Sequence, residues 1–176
     1  MKYYIGIDLG GTNVRTLLVD ENGQSYSEVK DATERENGPD YVCSKIIRQI
    51  ESLDYSICGG INNVQGIGIG VPGPVDTERG VMIMATNLPG FENYPICEKL
   101  SSRFNLPVFI DNDANVAGLA EALLGAGKGK PTCYYVTIST GIGGAFVVNG
   151  QLVSGGRGHA GEVGNIIVKN NGYIFG

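Results

Sequence analysis

Tyr3-Tyr4-Ile5-Gly6-Ile7-Asp8-Leu9-Gly10-Gly11-Thr12-Asn13-Val14-Arg15-Thr16-Leu17-Leu18-Val19 lies at the start of the chain, and its reading decides the fold. Residues 3–7 alternate around Gly6, residues 9–12 turn the chain, and residues 14–19 return, which reads as strand, glycine turn, strand. Asn22-Gly23 predicts a two-residue hairpin turn before a third strand over 24–29. The pattern comes back later. Tyr134-Tyr135-Val136-Thr137-Ile138 matches residues 3–7, Gly143-Gly144 matches Gly10-Gly11, residues 145–148 match the return strand, and Asn149-Gly150 matches Asn22-Gly23. A spacing of about 130 residues is too long for a solenoid and suits a duplicated lobe. The alternative is a coincidence of two glycine-rich hairpins, since turn chemistry alone favours such residues.

Between the two copies the period changes. Val42, Ile46, Ile47, Ile50 and Leu53 recur at helical spacing after Pro39, and Cys58-Gly59-Gly60 closes that segment. Ile67, Ile69 and Val71 alternate with glycines, predicting a strand that runs into the rigid Pro72-Gly73-Pro74 turn. Ile96, Leu100 and Phe104 mark a helix, residues 108–110 a short buried strand ending at Asp111-Asn112-Asp113, and Val116, Leu119, Ala120, Leu123 and Leu124 a further helix. The breaker-rich stretch 125–131 has no apolar periodicity. It divides the chain into an amino-terminal lobe over 1–125 and the start of a second over 126–176.

Composition narrows the classes. A chain of 176 residues can bury roughly two-thirds of its unfolded surface, so small size alone demands no disulfide or metal staple. Thirteen Lys+Arg against eighteen Asp+Glu leave a net charge of −5, which argues against a nucleic-acid or anionic-membrane partner. No apolar run approaches the ~20 residues of a membrane-spanning helix. The first eleven residues hold neither a signal-peptide core nor a cleavage site, which gives a cytoplasmic expectation. Cys43, Cys58, Cys97 and Cys133 lie far apart and read as reduced packing thiols.

Each hairpin tip carries glycines and hydroxyls, 8–12 in the first and 139–144 in the second. Such tips let backbone N–H groups close on phosphate oxygens. Neither a GxxxxGK[ST] loop nor a GxGxxG opening a helix is present. Asp113 stands where the next helix begins, a good N-cap position as well as a candidate acid–base group. His159, the sole histidine, reads as a polar loop residue.

Six motifs together are more specific. Asp8-Leu9-Gly10-Gly11-Thr12-Asn13, residues 68–76, Asn87-Leu88-Pro89-Gly90-Phe91, Asp111-Asn112-Asp113-Ala114-Asn115, residues 140–144 and Ala160-Gly161-Glu162-Val163-Gly164 resemble, in order, those of ROK-family sugar kinases. That family belongs to the actin-like ATPase superfamily. The resemblance implies an α/β, ribonuclease H-like lobe with a mixed sheet, the beginning of a second similar lobe, and ATP and sugar in the cleft between them. It makes Asp8 the carboxylate near Mg²⁺, where hard oxygen ligands are wanted. Gly10, Gly11, Thr12, Asn13 and Arg15 then face the nucleotide phosphates from one lobe, and Thr140, Gly141 and Gly143 from the other. Asp113 takes the general-base role toward the sugar hydroxyl. Asn112 and Glu162 bind the sugar, with Gly73 and Thr86 as further contacts.

Two departures stand out. Relatives carry a zinc-binding histidine three residues after the sugar-binding glutamate, but this chain has Asn165 there and no cysteine after Cys133, so no zinc is expected. The chain stops at Gly176, before the parts of the second lobe that in relatives hold adenine, so it reads as the amino-terminal part of a kinase, weak or inactive alone. Apolar surface left by an unfinished lobe would invite homodimer pairing. The function expected is ATP-dependent phosphorylation of a hexose, with glucose to glucose 6-phosphate as the default. A sugar-sensing repressor lacking its DNA-binding segment, or an actin-like ATPase without a sugar site, are the competing classes.

Overall fold

In the computed structural model, residues 1–138, 141–156, 160, 161, 163, 164 and 166 are described. Strand β1 (Tyr3–Leu9) buries Ile5, Ile7 and Leu9 and leaves Asp8 exposed between them, as a period of two requires. Strand β2 (Asn13–Asp20) does the same with Val14, Thr16 and Leu18, and β3 (Ser25–Ala32) completes an antiparallel meander. Helix α1 (Pro39–Ser52) starts with proline in its first turn, where the missing N–H costs nothing. Its buried face is Val42, Ile46 and Ile50, the stripe that the helical spacing predicts. Strand β4 (Val64–Val71) follows, then a ribbon of β5 (Val75–Asp76) and β6 (Val81–Met82), helix α2 (Ile96–Phe104) and strand β7 (Val108–Asn112).

The five-stranded sheet runs β3-β2-β1-β4-β7. β1 pairs parallel with β4 and β4 parallel with β7, so each return needs a crossover, and α1 and α2 lie in those two connections. The consequence for function is geometric: the carboxyl ends of β1, β4 and β7 lie along one edge of the sheet. Ile5, Ile7, Leu9, Ile67, Ile69 and Ile110 share one core cluster with Ile46, Ile50, Ile96 and Leu100 of the helices. Full burial of each such side chain contributes ~1.5–3 kcal/mol. A buried polar link joins α1 to β2: Thr16 Oγ1 donates to Gln49 Oε1 at 2.8 Å, and Gln49 Nε2 donates to Asp31 Oδ2 at 3.0 Å.

The chain divides into two compact units, Met1–Asp113 and Ala114–Gly176. The sequence reading puts the division after residue 125; the units divide twelve positions earlier, at the start of helix α3 (Asp113–Leu123). Glycine explains why the helix packs with the second unit. A Cβ on Gly118 would lie 2.4 Å from Ala145 Cβ and 3.0 Å from Tyr135 Cβ, so α3 presses directly on strands β8 (Thr132–Ile138) and β9 (Ile142–Val148). The breaker-rich stretch is a turn within the second unit.

Strands β8 and β9 form an antiparallel hairpin, and β10 (Gln151–Leu152) pairs with β9, so both units hold a strand, hairpin, third-strand meander. The match differs in two places. Asn149 and Gly150 adopt φ 49° and 75° and make the two-residue turn. At Asn22-Gly23 only the glycine is left-handed, and Asp20 closes a longer loop by accepting from the N–H groups of Asn22 and Gln24. Gly143 and Gly144 are in the return strand β9 rather than ahead of it. They have no counterpart in β2. A Cβ on Gly143 would meet Ala114 Cβ at 3.1 Å, and one on Gly144 would meet the Gly161 carbonyl at 2.6 Å, so close packing explains the pair.

Candidate functional site

Register sets out the first unit's site. Asp8 pairs with Arg15 on β2 and with Gly70 on β4, and Gly70 pairs with Asp111 on β7. Residues paired in register share a face, so Arg15, Asp8 and Asp111 form one row beside the carboxyl edge, with a glycine between the two carboxylates. Crevices at the carboxyl ends of parallel strands are where open α/β sheets bind ligands. Arg15 Nε stands 3.3 Å from Glu28 Oε1, so its guanidinium is engaged with β3.

The next residue on β7 is Asn112. Its backbone N–H donates to Asp111 Oδ1 at 2.7 Å, and its side-chain Nδ2 donates to the Gly73 carbonyl at 3.1 Å. Gly73 sits at φ 85°, and a Cβ there would lie 2.6 Å from the Met84 carbonyl. Only glycine fits that conformation with backbone so near. Asp113 is the first residue of α3, exposed, at the amino-terminal end of that helix.

The loop between β6 and α2 plugs into the core through Ala85, Leu88 and Phe91, all nearly inaccessible, leaving Thr86 and Asn87 outside. Asn87 reaches the β1–β2 tip: a Cβ on Gly11 would meet its carbonyl at 2.7 Å. The tip is also held by the segment after β3. Thr33, fully buried, donates its N–H to the Thr12 carbonyl at 2.8 Å and its hydroxyl to the Gly10 carbonyl at 2.6 Å, and Gly10 N–H donates to the Asn13 carbonyl at 2.9 Å. Asp8, Gly10, Gly11, Thr12, Asn13, Gly73, Thr86, Asn112 and Asp113 are therefore connected through one run of strand ends and loops. Thr33 belongs to that run, and the sequence gives no sign of it; a lone threonine after a strand carries no signal.

In the second unit, the space that a Cβ would take on Gly141 is open, which suits close approach of a ligand to the tip. Gly161 and Gly164 pack backbone to backbone on β9. Thr140, Glu162, His159 and Asn165 lie outside the described residues. Among the described residues no cluster of three or more His, Cys, Asp or Glu could hold a metal ion, and no helix is long and apolar enough to cross a membrane.

The ROK family profile matches residues 4–175. The chain belongs to the ROK family. Among curated ROK relatives, the glucokinase of Thermotoga maritima is 37% identical over 168 residues, covering 96% of this chain and 51% of its own length. The crystal structure of a ROK hexokinase from Thermus thermophilus superposes with a TM-score of 0.83 at 37% identity, covering 95% of this chain and 54% of that one. A ROK glucokinase from Streptomyces griseus, solved with glucose and AMPPNP, gives a TM-score of 0.78 at 33% identity, with 95% and 51% covered. The chain spans about half the length of these relatives, and its α/β fold with a mixed sheet is that of ROK kinases.

Proposed function

We propose that the protein works as an ATP-dependent hexose kinase, moving the γ-phosphoryl group of ATP to a sugar hydroxyl, with glucose as the first substrate to try. The observation that carries this reading is the bond from Asn112 to the Gly73 carbonyl. It ties an Asn-Asp pair at a strand-to-helix junction to the same sheet edge as the glycine tip.

Phosphoryl transfer asks little covalent chemistry of a protein; alignment, charge neutralisation and one proton transfer are the work. Asp113 accepts the proton of the attacking hydroxyl. The Asn112 amide, held at the sheet edge by its bond to the Gly73 carbonyl, meets the sugar hydroxyls, as do Thr86 and the backbone at Gly73. Glu162 adds a carboxylate to the sugar. N–H groups at Gly11 to Asn13 in one tip, and at Thr140 and Gly141 in the other with Gly143 beside it on β9, bind phosphate oxygens, while Gly10 shapes the first tip through its own bond to the Asn13 carbonyl; Arg15 adds charge at the first. Asp8 and Asp111, in one row with Gly70 between them, supply the hard oxygens that suit Mg²⁺, which when bound neutralises phosphate charge. A cytoplasmic place, where ATP is available, accords with this role.

The test is a coupled ADP-release assay of the natural full-length protein with glucose, N-acetylmannosamine, N-acetylglucosamine, fructose and allose. The expected result is hexose-dependent turnover. Sugar binding without turnover would favour a repressor, and nucleotide hydrolysis indifferent to every sugar would favour an actin-like ATPase.

A further inference from the structure

Arg35 lies where the phosphate-binding hairpin and the proposed sugar loop meet. Its Nη1 donates to the Asn87 carbonyl at 2.7 Å, and a Cβ on Gly11 would lie 2.8 Å from that same nitrogen and 2.7 Å from that same oxygen. Three segments thus touch at one point: the β1–β2 tip, the turn after β3, and the loop that carries Thr86. Gly11 has to lack a side chain for them to do so.

The turn that carries Arg35 is itself braced. Thr33 holds the carbonyls of Gly10 and Thr12. Lys45 on α1 donates to the Ala32 carbonyl at 2.7 Å and pairs with the Glu34 carboxylate, which also accepts from the Tyr41 hydroxyl at 2.8 Å. Glu34 has φ 54°, a left-handed conformation that a non-glycine residue keeps only when its surroundings impose it. Arg35 therefore projects from a fixed base. Its planar guanidinium is pre-organised for its hydrogen bond, which a lysine ammonium on a flexible stem is not.

We propose that Arg35 is a positioning residue that joins the sugar loop to the phosphate hairpin, so that hexose and nucleotide occupancy favour one another. A hexose that settles the loop at Thr86 steadies Asn87 and, through Arg35 and Gly11, the tip whose N–H groups take phosphate. The effect is reciprocal by linkage. The binding consequence rests on the kinase reading; the mechanical link does not.

Two measurements on the natural full-length protein and its Arg35→Ala and Arg35→Lys variants test this. Calorimetric titration with glucose, with and without AMPPNP, gives the coupling: about fivefold or more in the unmodified protein, under about twofold in Arg35→Ala, and intermediate in Arg35→Lys. Amide hydrogen exchange of peptides spanning 8–13 and 84–92 accelerates in Arg35→Ala, with β4 unchanged as the sign that the fold is intact. Full coupling retained in Arg35→Ala, no coupling in the unmodified protein, or unchanged exchange at either segment overturns the proposal. An unmodified protein that binds no hexose refutes the kinase reading instead, and the exchange data still decide whether Arg35 joins the two segments.

Discussion

Replacing Gly73 with alanine forces one methyl group into a place with no room. At φ 85° a non-glycine residue costs ~1–2 kcal/mol, and the new Cβ stands 2.6 Å from the Met84 carbonyl, a backbone atom that cannot swing aside. Relieving an overpacked contact of this kind costs ~1–3 kcal/mol, while the stiffer unfolded chain returns ~0.4–1 kcal/mol. The sum is a loss of about 1–5 kcal/mol, which at a urea slope of ~2 kcal/mol/M lowers the denaturation midpoint by about 0.5–2.5 M. Because Asn112 Nδ2 donates to the Gly73 carbonyl at 3.1 Å, the shifted turn also bends that bond, and glucose affinity falls about tenfold. Gly68→Ala is the control: it lies on β4, its Cβ meets nothing within 4 Å, and its φ is not left-handed. There the same substitution is neutral or slightly stabilising. Urea curves followed by circular dichroism decide between them. A Gly73→Ala midpoint within about 0.3 M of the unmodified protein, or an equal loss in Gly68→Ala, refutes the reasoning.

Two other outcomes concern the site and the charges. Asp113→Asn, in the natural full-length protein, lowers kcat by ~10² or more while glucose binding persists, since a general base contributes ~10²–10⁴ and the amide keeps the shape; titration calorimetry and the ADP-release assay check both halves, and a loss under about tenfold removes Asp113 from that role. The Asp40 carboxyl is held below its ordinary value of 3.8, first by the Tyr94 hydroxyl and then by Lys99. A carboxylate lowered in the fold supports stability above its unfolded pKa and loses that support as pH falls through the lower folded value, so Asp40→Asn flattens the decline in stability below about pH 4; superimposable acid-unfolding curves would contradict it.

Some of the fold was legible because it is local. The spacing of Val42, Ile46 and Ile50 after Pro39 is enough to place α1, and alternation in 67–71 is enough to place β4. Other features were hidden because distant residues make them. Nothing in the string Ala32-Thr33-Glu34-Arg35 announces a left-handed glutamate, which owes its conformation to Lys45 and Tyr41 on a neighbouring helix. The ribbon of β5 and β6 has strands of two residues each, too short for any periodicity. The division at 125 suggested by the sequence and the division into compact units at 113 differ for the opposite reason. Glycine and lysine at 125–131 carry a strong local breaker signal, while the packing of Gly118 on Ala145 and Tyr135, which takes α3 into the second unit, joins residues far apart in the chain.

The chemistry of the site divides the same way. The residue types and their order, from Asp8 and the glycine tip through Asn112-Asp113 to Glu162, are covalent facts, and with them the sequence by itself determined the family and the alternation of strand and helix. Tertiary structure decided which of them are neighbours. Parallel pairing of β1, β4 and β7 sets Asp8 and Asp111 in one row although 103 positions separate their numbers, and the left-handed turn at Gly73 supplies the carbonyl that holds Asn112 from 39 residues away. Strand register and turn handedness are properties of the assembled sheet, where burying one face and pairing every backbone group select a single alignment from many that the local sequence permits.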